Sequence, residues 1–209
     1  MNAQLTSLRQ RCLHRWSRFL FPTLVVVSGC AWFGATGSGV TDRASALAHS
    51  FILIDTHIDA PMRLLRGMED LSQRTSTGQF DYPRAIEGGL DAPFLSVYVP
   101  SHREGNGAKA LADTIIDLVY GLVERWPDRF AVAASVHEVR SLAGTGRLAL
   151  CLGMENGSPI EGDLSNVTYF YQRGIRYITL VHARDNHICD SSYDTTRTWG
   201  GLSPFGRDL

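Results

Sequence analysis

Residues 51–61 read FILIDTHIDAP, and this stretch decides the fold. Its apolar start predicts a buried β-strand over 51–55. Proline is rare inside strands, so Pro61 indicates that the strand has ended. His57 and Asp59 follow one residue apart, so on an extended chain their side chains point to the same side. An imidazole and a carboxylate that face one point suit a divalent metal such as zinc. The alternative is that His57 merely hydrogen-bonds Asp59.

The chain after residue 50 alternates apolar runs with helical patterns. Further strands are predicted over residues 90–100, 148–157 and 175–182, and residues 130–135 could add a short one. Helices are predicted over 60–71, 109–126, 136–146 and 166–174, and Ser135 followed by Glu138 is a capping-box signal for the third of them. A last helix begins with Ser203 as its cap and Pro204 in its first turn. The segment 72–89 has the composition of a loop. Strands that are apolar on both faces and alternate with helices predict a parallel sheet in an α/β fold.

Three of the predicted strands end in a side chain that can bind a metal. His57 and Asp59 end the first, Glu155 ends the run at 148–157, and His182 ends the run at 175–182. The active sites of β/α folds lie at the carboxyl ends of the strands, so these residues should meet. Glu155 has two oxygens and could bridge two metals, which together activate one water for hydrolysis. Taken singly, Glu155 could equally be a turn carboxylate and His182 a hydrogen-bonded core histidine.

Several other classes of function are disfavoured. The formal net charge is −1, which gives no basic surface for nucleic acid. No G-x-S-x-G elbow, P-loop or strand-following G-x-G-x-x-G is present. Cys151 and Cys189 lack a recognisable catalytic context, and Cys151 lies in an apolar run that predicts a buried thiol.

The first residues predict export. Four arginines before residue 19 precede a short apolar run that ends in Val27-Ser28-Gly29-Cys30. This tetrapeptide resembles the cleavage box of bacterial lipoproteins, so residues 1–30 are expected to be a signal peptide and Cys30 the lipidated residue. Residues 31–49 would form a tether and a lead-in helix. The mature protein would then be anchored through lipid to a membrane of the bacterial cell envelope, facing the periplasm or the cell surface. An uncleaved anchor helix, or cleavage further along the chain, is the alternative.

Four stretches resemble the membrane dipeptidase (renal dipeptidase) family of zinc metallopeptidases. They are IDTHIDAP at 54–61, LCLGMENGSPI at 150–160, GIRYITLVHARDNHICDSSYD at 174–194 and GLSPFGRDL at 201–209. The resemblance covers residues 50–209. It implies a (β/α)8 TIM-barrel metal-dependent hydrolase, two Zn2+ ions per complete active site, dipeptide substrates and a possible homodimer.

The resemblance also implies roles for individual residues. His57 and Asp59 would bind one zinc ion, and Glu155 would bridge both ions. His182 would contact the substrate and stabilise the developing oxyanion. The family's second zinc site takes histidines from later strands that have no match before Leu209. Residues 50–209 are therefore expected to form about the first four β/α units, to hold at most one zinc ion and to be inactive alone. The alternative is a non-catalytic surface lipoprotein of the same fold that binds peptide or metal.

Overall fold

The computed structural model describes residues 36–209 of the chain. The predicted signal peptide over 1–30, the lipidation of Cys30 and the first part of the tether lie outside the described residues. Helix α1 (Thr36–Ala48) opens the described part and occupies the segment for which a lead-in helix was expected. Among the helices of residues 36–209, none combines the length and apolar character that crossing a membrane requires.

A parallel sheet forms the centre of the fold, as the alternating pattern predicted. Its strands are β1 (Leu53–Ile58), β2 (Leu90–Tyr98), β3 (Phe130–Val132), β4 (Leu148–Glu155) and β5 (Ile175–Thr179). The strand order is β1-β2-β4-β3, and β5 also pairs with β4; every pairing is parallel. Parallel neighbours require crossover connections, which the helices supply.

Helices follow the strands. Their bounds are α2 (Ala60–Arg66), α3 (Tyr82–Glu87), α4 (Ala108–Arg125), α5 (Val136–Leu142), α6 (Ser165–Gln172) and α7 (Pro204–Asp208), with short 3-10 helices at Ser101–Arg103 and Ser158–Ile160. Helices α2, α3, α4 and α6 pack on one face of the sheet, whereas Val139 and Leu142 of α5 pack on the opposite face. The predicted caps are confirmed at two of these helices. Ser135 accepts a hydrogen bond from the backbone N–H of Glu138 at the start of α5, and Ser203 accepts one from Gly206 at the start of α7.

The two faces of the sheet differ in chemistry. Alternate residues of β4, from Leu148 to Met154, join the large apolar core beneath the helices. The opposite face carries Ala149, the buried free thiol of Cys151, Gly153 and Glu155. Alternation along β4 therefore places the large apolar core on one face, while the opposite face is apolar beside α5 and becomes polar toward the carboxyl end.

One helix was missed in the sequence. Residues 72–89 were expected to be a loop, yet α3 forms within them. Asp81 is its N-cap, and the fully buried carboxylate accepts hydrogen bonds from the backbone N–H groups of Arg84 at 3.0 Å and Thr75 at 2.9 Å. Pro83 stands in the first turn, where a missing N–H costs nothing. An acidic cap followed by proline was the overlooked signal.

The predicted strand over 175–182 is too long. β5 ends at Thr179, so His182 lies in the following loop instead of ending the strand. The partner strand explains this difference, because Thr179 pairs with Glu155, the last residue of β4. Beyond that point the carbonyl of Leu180 accepts hydrogen bonds from the loop groups Gly157 N–H at 3.3 Å and Asn186 Nδ2 at 2.8 Å.

β1 also differs from its predicted bounds and is unusually open. It begins at Leu53 and runs to Ile58, so His57 lies within the strand. In the described part of the chain β1 pairs with β2 alone, and Ile54 is 52% exposed. An apolar parallel strand is normally covered on both faces. β1 is thus a free edge of the sheet among the residues described.

Candidate metal centre

The centre lies where the strands end. His57 is the penultimate residue of β1, and Asp59 directly follows the strand as the N-cap residue of α2. Pro61 in the first turn of α2 stops the strand and starts the helix. Glu155 is the last residue of β4. Since all pairings are parallel, the ends of β1 and β4 reach the same rim of the sheet.

The structure brings three of the predicted ligands together. One ligand atom each from His57, Asp59 and Glu155 lies within 4.8 Å of the other two. His57 Nε2 is 3.4 Å from Asp59 Oδ1 and 3.2 Å from Glu155 Oε2. Among the histidine, cysteine and acidic side chains of residues 39–209, these three form the group whose ligand atoms lie close enough together to hold a metal ion.

Glu155 also contacts His182, the fourth predicted residue. Its Oε1 lies 3.1 Å from His182 Nε2, while its Oε2 faces His57. The carboxylate therefore lies between two imidazoles, and each oxygen faces one of them. A carboxylate in that position can serve two neighbouring metal positions at once.

The donor set fits zinc. One imidazole nitrogen and two carboxylate oxygens are ligands that Zn²⁺ accepts, and a cation between them would offset the negative charges of Asp59 and Glu155. The three side chains differ in exposure, with Asp59 66% exposed and Glu155 16% exposed. The centre is open to solvent on the side of Asp59, so a metal ion and a substrate have access to it.

The position of His182 depends on the loop after β5. Ser191 donates a hydrogen bond from Oγ to the backbone carbonyl of His182 at 2.6 Å. The ring of Tyr98 meets the imidazole edge-on, with ring centroids 5.0 Å apart. Burial raises the pKa of Tyr98, and the negative charges of Glu155 and Asp59 raise it further, so its hydroxyl stays neutral.

Two residues at the centre were missed in the sequence. Ser96 donates from Oγ to Glu155 Oε2 at 2.8 Å, and the hydroxyl of Tyr177 lies 3.1 Å from His57 Nδ1. Ser96 is the one polar residue in the apolar run at 92–97 of β2, which is the signal that could have drawn attention to it. Tyr177 has no comparable signal, because an aromatic residue is ordinary in a strand.

A cleft of about 590 Å³ adjoins the centre. Asp59, Glu155, Tyr98 and His182 form its wall beside the metal centre, and its remaining wall comes from α2 and the loop after it, including Arg66. A cleft of roughly 300–1,000 Å³ is usual for small-molecule ligands. The open metal centre therefore borders a space of suitable size for a small substrate.

The other described histidines do not reach this centre. His102 and His137 are exposed. His49 is also exposed, and its ring hydrogen-bonds the backbone carbonyls of Ser45 and Ile86. His187 pairs instead with Glu104, whose carboxylate lies 2.6 Å from its Nδ1.

Comparison with known proteins agrees with this geometry. The sequence model of the membrane dipeptidase family (peptidase family M19) matches residues 41–209. Dipeptidase ataJ of Aspergillus terreus is 32% identical over an alignment of 173 positions that covers 75% of this chain and 42% of that protein. The probable dipeptidase PvdM of Pseudomonas aeruginosa superposes with a TM-score of 0.72 at 25% identity, over 82% of this chain and 46% of that one.

A metallopeptidase of Rhodobacter sphaeroides, solved with a phosphinate mimic of the dipeptide L-Ala-D-Ala, has a TM-score of 0.65 at 25% identity. The match covers 76% of this chain and 54% of that one. The chain thus spans about half the length of these structures, and 42% of the curated relative ataJ. With the family match over residues 41–209, these likenesses show that the chain belongs to the membrane dipeptidase family of metallopeptidases.

Proposed function

We propose that the protein containing this chain hydrolyses dipeptides to free amino acids in a zinc-dependent reaction. The observation that carries the proposal is the placement of Glu155 between His57 and His182, with one carboxylate oxygen facing each imidazole. Family membership supplies the reaction class.

The chain would hold zinc through three atoms. His57 Nε2, Asp59 Oδ1 and Glu155 Oε2 converge on one position, and Glu155 Oε1 remains available to a neighbouring one. When bound, zinc polarises a carbonyl group and makes water a stronger nucleophile at neutral pH. Ser96 contributes by holding Glu155 in the orientation that leaves Oε1 free to face His182.

His182 would act on the substrate. Its Nε2 points toward Glu155 and its ring lines the cleft, so an N–H donor stands beside the centre. A donor there would stabilise the negative charge that develops on the oxygen of the scissile carbonyl. Tyr98 packs on the ring and limits its rotation.

The charges of the cleft suit a dipeptide. Apart from the proposed zinc ligands, Glu69 brings negative charge and Arg63 and Arg66 bring positive charge to the same cleft. A dipeptide carries an ammonium group at one end and a carboxylate at the other, so the cleft offers a complement to both ends.

Residues beyond Leu209 would complete the site in the proposed enzyme. The relatives are about twice as long as the matched region, and β1 presents an unpaired apolar edge on which further strands could pair. Residues 1–209 by themselves are expected to hold at most one zinc ion, at His57, Asp59 and Glu155, and to show no dipeptidase activity.

The test uses the full-length protein, meaning this chain with any residues that its reading frame adds after Leu209. Hydrolysis of L-Ala-L-Ala should be lost on zinc removal by 1,10-phenanthroline and return when zinc is added. Glu155→Ala should abolish both zinc binding and turnover, whereas Glu124→Ala, on the exposed side of α4, should change neither. Zinc binding without turnover of any dipeptide in a panel would favour the binding-protein alternative. Turnover that is insensitive to zinc removal would overturn the proposal.

A further inference from the structure

Tyr177 connects two strands that are not neighbours in the sheet. It belongs to β5, yet its hydroxyl contacts β1, where it donates a hydrogen bond to the carbonyl of Thr56 at 2.9 Å and lies 3.1 Å from His57 Nδ1. β4 and β2 separate β5 from β1 in the strand order. The side chain therefore crosses the polar face of the sheet to reach the candidate metal centre.

The two contacts determine which ring nitrogen of His57 carries a hydrogen. A phenol hydroxyl has one hydrogen, and the carbonyl of Thr56 can only accept, so that hydrogen is used in the bond to Thr56. The contact with His57 Nδ1 is then a hydrogen bond only if Nδ1–H donates to the phenol oxygen. In a neutral imidazole, hydrogen on Nδ1 leaves the lone pair on Nε2.

That lone pair points at the metal position. Nε2 is the atom that lies 3.4 Å from Asp59 Oδ1 and 3.2 Å from Glu155 Oε2. An unprotonated nitrogen beside two carboxylate oxygens offers no hydrogen to either of them. The three atoms together suit a cation. His57 Nε2 can bind that cation only in the tautomer that carries its hydrogen on Nδ1.

We propose that Tyr177 is a positioning residue that holds His57 in the zinc-binding tautomer and ring orientation, and that Gly153 provides the space it needs. The inference deepens the proposed function and rests on the metal centre described there. It concerns residues outside the ligand set itself.

Gly153 is required because Tyr177 lies directly over it. The two residues are partners in the β4–β5 register, and a Cβ atom at position 153 would be only 2.0 Å from Cζ of the tyrosine ring. Gly153 is not among the residues with positive φ, so the constraint is space and not backbone conformation. Phe94 packs against the ring with centroids 5.5 Å apart. The ring thus lies over Gly153 and against Phe94, with its hydroxyl at His57.

The test measures zinc affinity in the full-length protein by competition with a chromophoric chelator. Tyr177→Phe keeps the ring and removes only the hydroxyl, and it should weaken zinc binding roughly 10–100-fold, the usual effect of losing a partner of a metal ligand. The visible spectrum of the Co²⁺-loaded variant should change with it, because the geometry of His57 changes. Tyr169→Phe is the matched control, since it removes a hydroxyl that donates to Asp113 Oδ1 at 2.8 Å outside the centre.

A second comparison tests Gly153. Gly153→Ala should weaken zinc binding as Tyr177→Phe does, because the methyl group displaces the ring. In a Tyr177→Ala background the ring is gone, so adding Gly153→Ala should cause no further loss. Thermal unfolding of the metal-free variants shows whether each is folded.

The outcomes separate this inference from the proposed function. If the unmodified protein binds no zinc, the metal centre itself is wrong. If it binds zinc and Tyr177→Phe has the same affinity and the same Co²⁺ spectrum, the positioning role is wrong and the metal centre stands. An equal loss in Tyr169→Phe would also overturn the role, because the effect would then be general to lost hydroxyl groups.

Discussion

Ser96 and Glu155 join neighbouring strands through a hydrogen bond of 2.8 Å between Ser96 Oγ and Glu155 Oε2. Ser96 is fully buried in β2, and its register partner in β4 is Gly153. The bond therefore runs diagonally, from Ser96 to the residue two positions beyond that partner. It holds the carboxylate so that Oε1 faces His182.

Ser96→Ala should weaken the metal centre without removing a ligand. Loss of a hydrogen bond to a charged acceptor typically costs about 1.5–3 kcal/mol, so the free energy of unfolding should fall by that order. Zinc affinity should fall roughly 10-fold, because Glu155 is no longer oriented. Chelator competition and urea unfolding measure the two effects. Ser141→Ala, which removes an exposed hydroxyl bonded to the carbonyl of His137, should leave zinc affinity unchanged. Equal zinc affinity in both variants would contradict this prediction.

Substitution of His57 should lower both metal binding and turnover, whereas substitution of His182 should lower turnover alone. His57→Ala and Asp59→Ala should lower zinc content and dipeptide hydrolysis together, because each removes a converging ligand atom. His182→Ala should retain most of the zinc and lose about 10²–10³ in kcat, the usual cost of losing one oxyanion donor. Zinc per protein and initial rates on L-Ala-L-Ala check this, with the exposed His102→Ala as control. Normal turnover in His182→Ala would remove its oxyanion role.

The buried carboxylate of Asp81 should make stability depend on acid pH. Burial raises the pKa of Asp81, whereas the hydrogen bonds from Arg84 and Thr75 and the charge of Arg84 lower it. The net result is a pKa below the ordinary value for aspartate. Its contribution is thus fully present above the unfolded pKa of about 3.9 and is lost as pH falls through the lower folded pKa.

Asp81→Asn should therefore be less stable than the unmodified protein at pH 7, by about 3 kcal/mol, the order expected when one partner of a buried ion pair is removed. The difference should shrink as the pH falls below the unfolded pKa of about 3.9. Urea unfolding across this pH range measures it. Asp128→Asn, at a side chain that is 73% exposed, should show almost no difference at any pH. A constant difference between Asp81→Asn and the unmodified protein would contradict the pKa argument.

The two described thiols should be unreactive in the folded protein. Burial raises the pKa of Cys151 to about 11, and the charge of Glu138 adds to the effect. Burial also raises the pKa of Cys189, with the charges of Asp190 and Asp185. Only the thiolate attacks, so at pH 8 a disulfide reagent should label neither residue until the protein unfolds. The measurement needs Cys12→Ser and Cys30→Ser, with Ser141→Cys as an exposed positive control. Native labelling as fast as that control would show the thiols to be accessible.

Export and lipid attachment remain a proposal that rests on Val27-Ser28-Gly29-Cys30. Cys30→Ala should abolish incorporation of a labelled fatty acid and move the protein from the membrane fraction to the soluble fraction. Cys12→Ala should change neither, because Cys12 precedes the proposed cleavage point. Unchanged labelling and fractionation of Cys30→Ala would favour an uncleaved anchor helix instead.

The sequence by itself determined the strands and helices whose signals are local. The pattern of apolar residues correctly located β2, β4 and α4. Apolar side chains recur about every two residues in a half-buried strand and about every 3.6 in a helix, so a short stretch is enough to tell them apart. The caps Ser135 and Ser203 were readable for the same reason, since a cap bonds a backbone group only three residues away. α3 carried a comparable cap, and its acidic residue with a following proline was not recognised.

The meeting of His57, Asp59 and Glu155 was predictable from one topological rule. Parallel strands bring their carboxyl ends to the same rim, so residues far apart in sequence converge once the sheet is recognised. The rule places residues at a rim but does not orient their side chains.

Only the tertiary structure decided how the centre is arranged. It placed Glu155 between His57 and His182, moved His182 into a loop, and brought Ser96 into contact with Glu155 and Tyr177 into contact with His57. These contacts join residues of different strands, separated by 59 positions for Ser96 and Glu155 and by 120 for Tyr177 and His57. Local periodicity carries no information about such pairs. Their geometry follows from register, sheet twist and the empty space above a glycine, which exist only once the chain has folded.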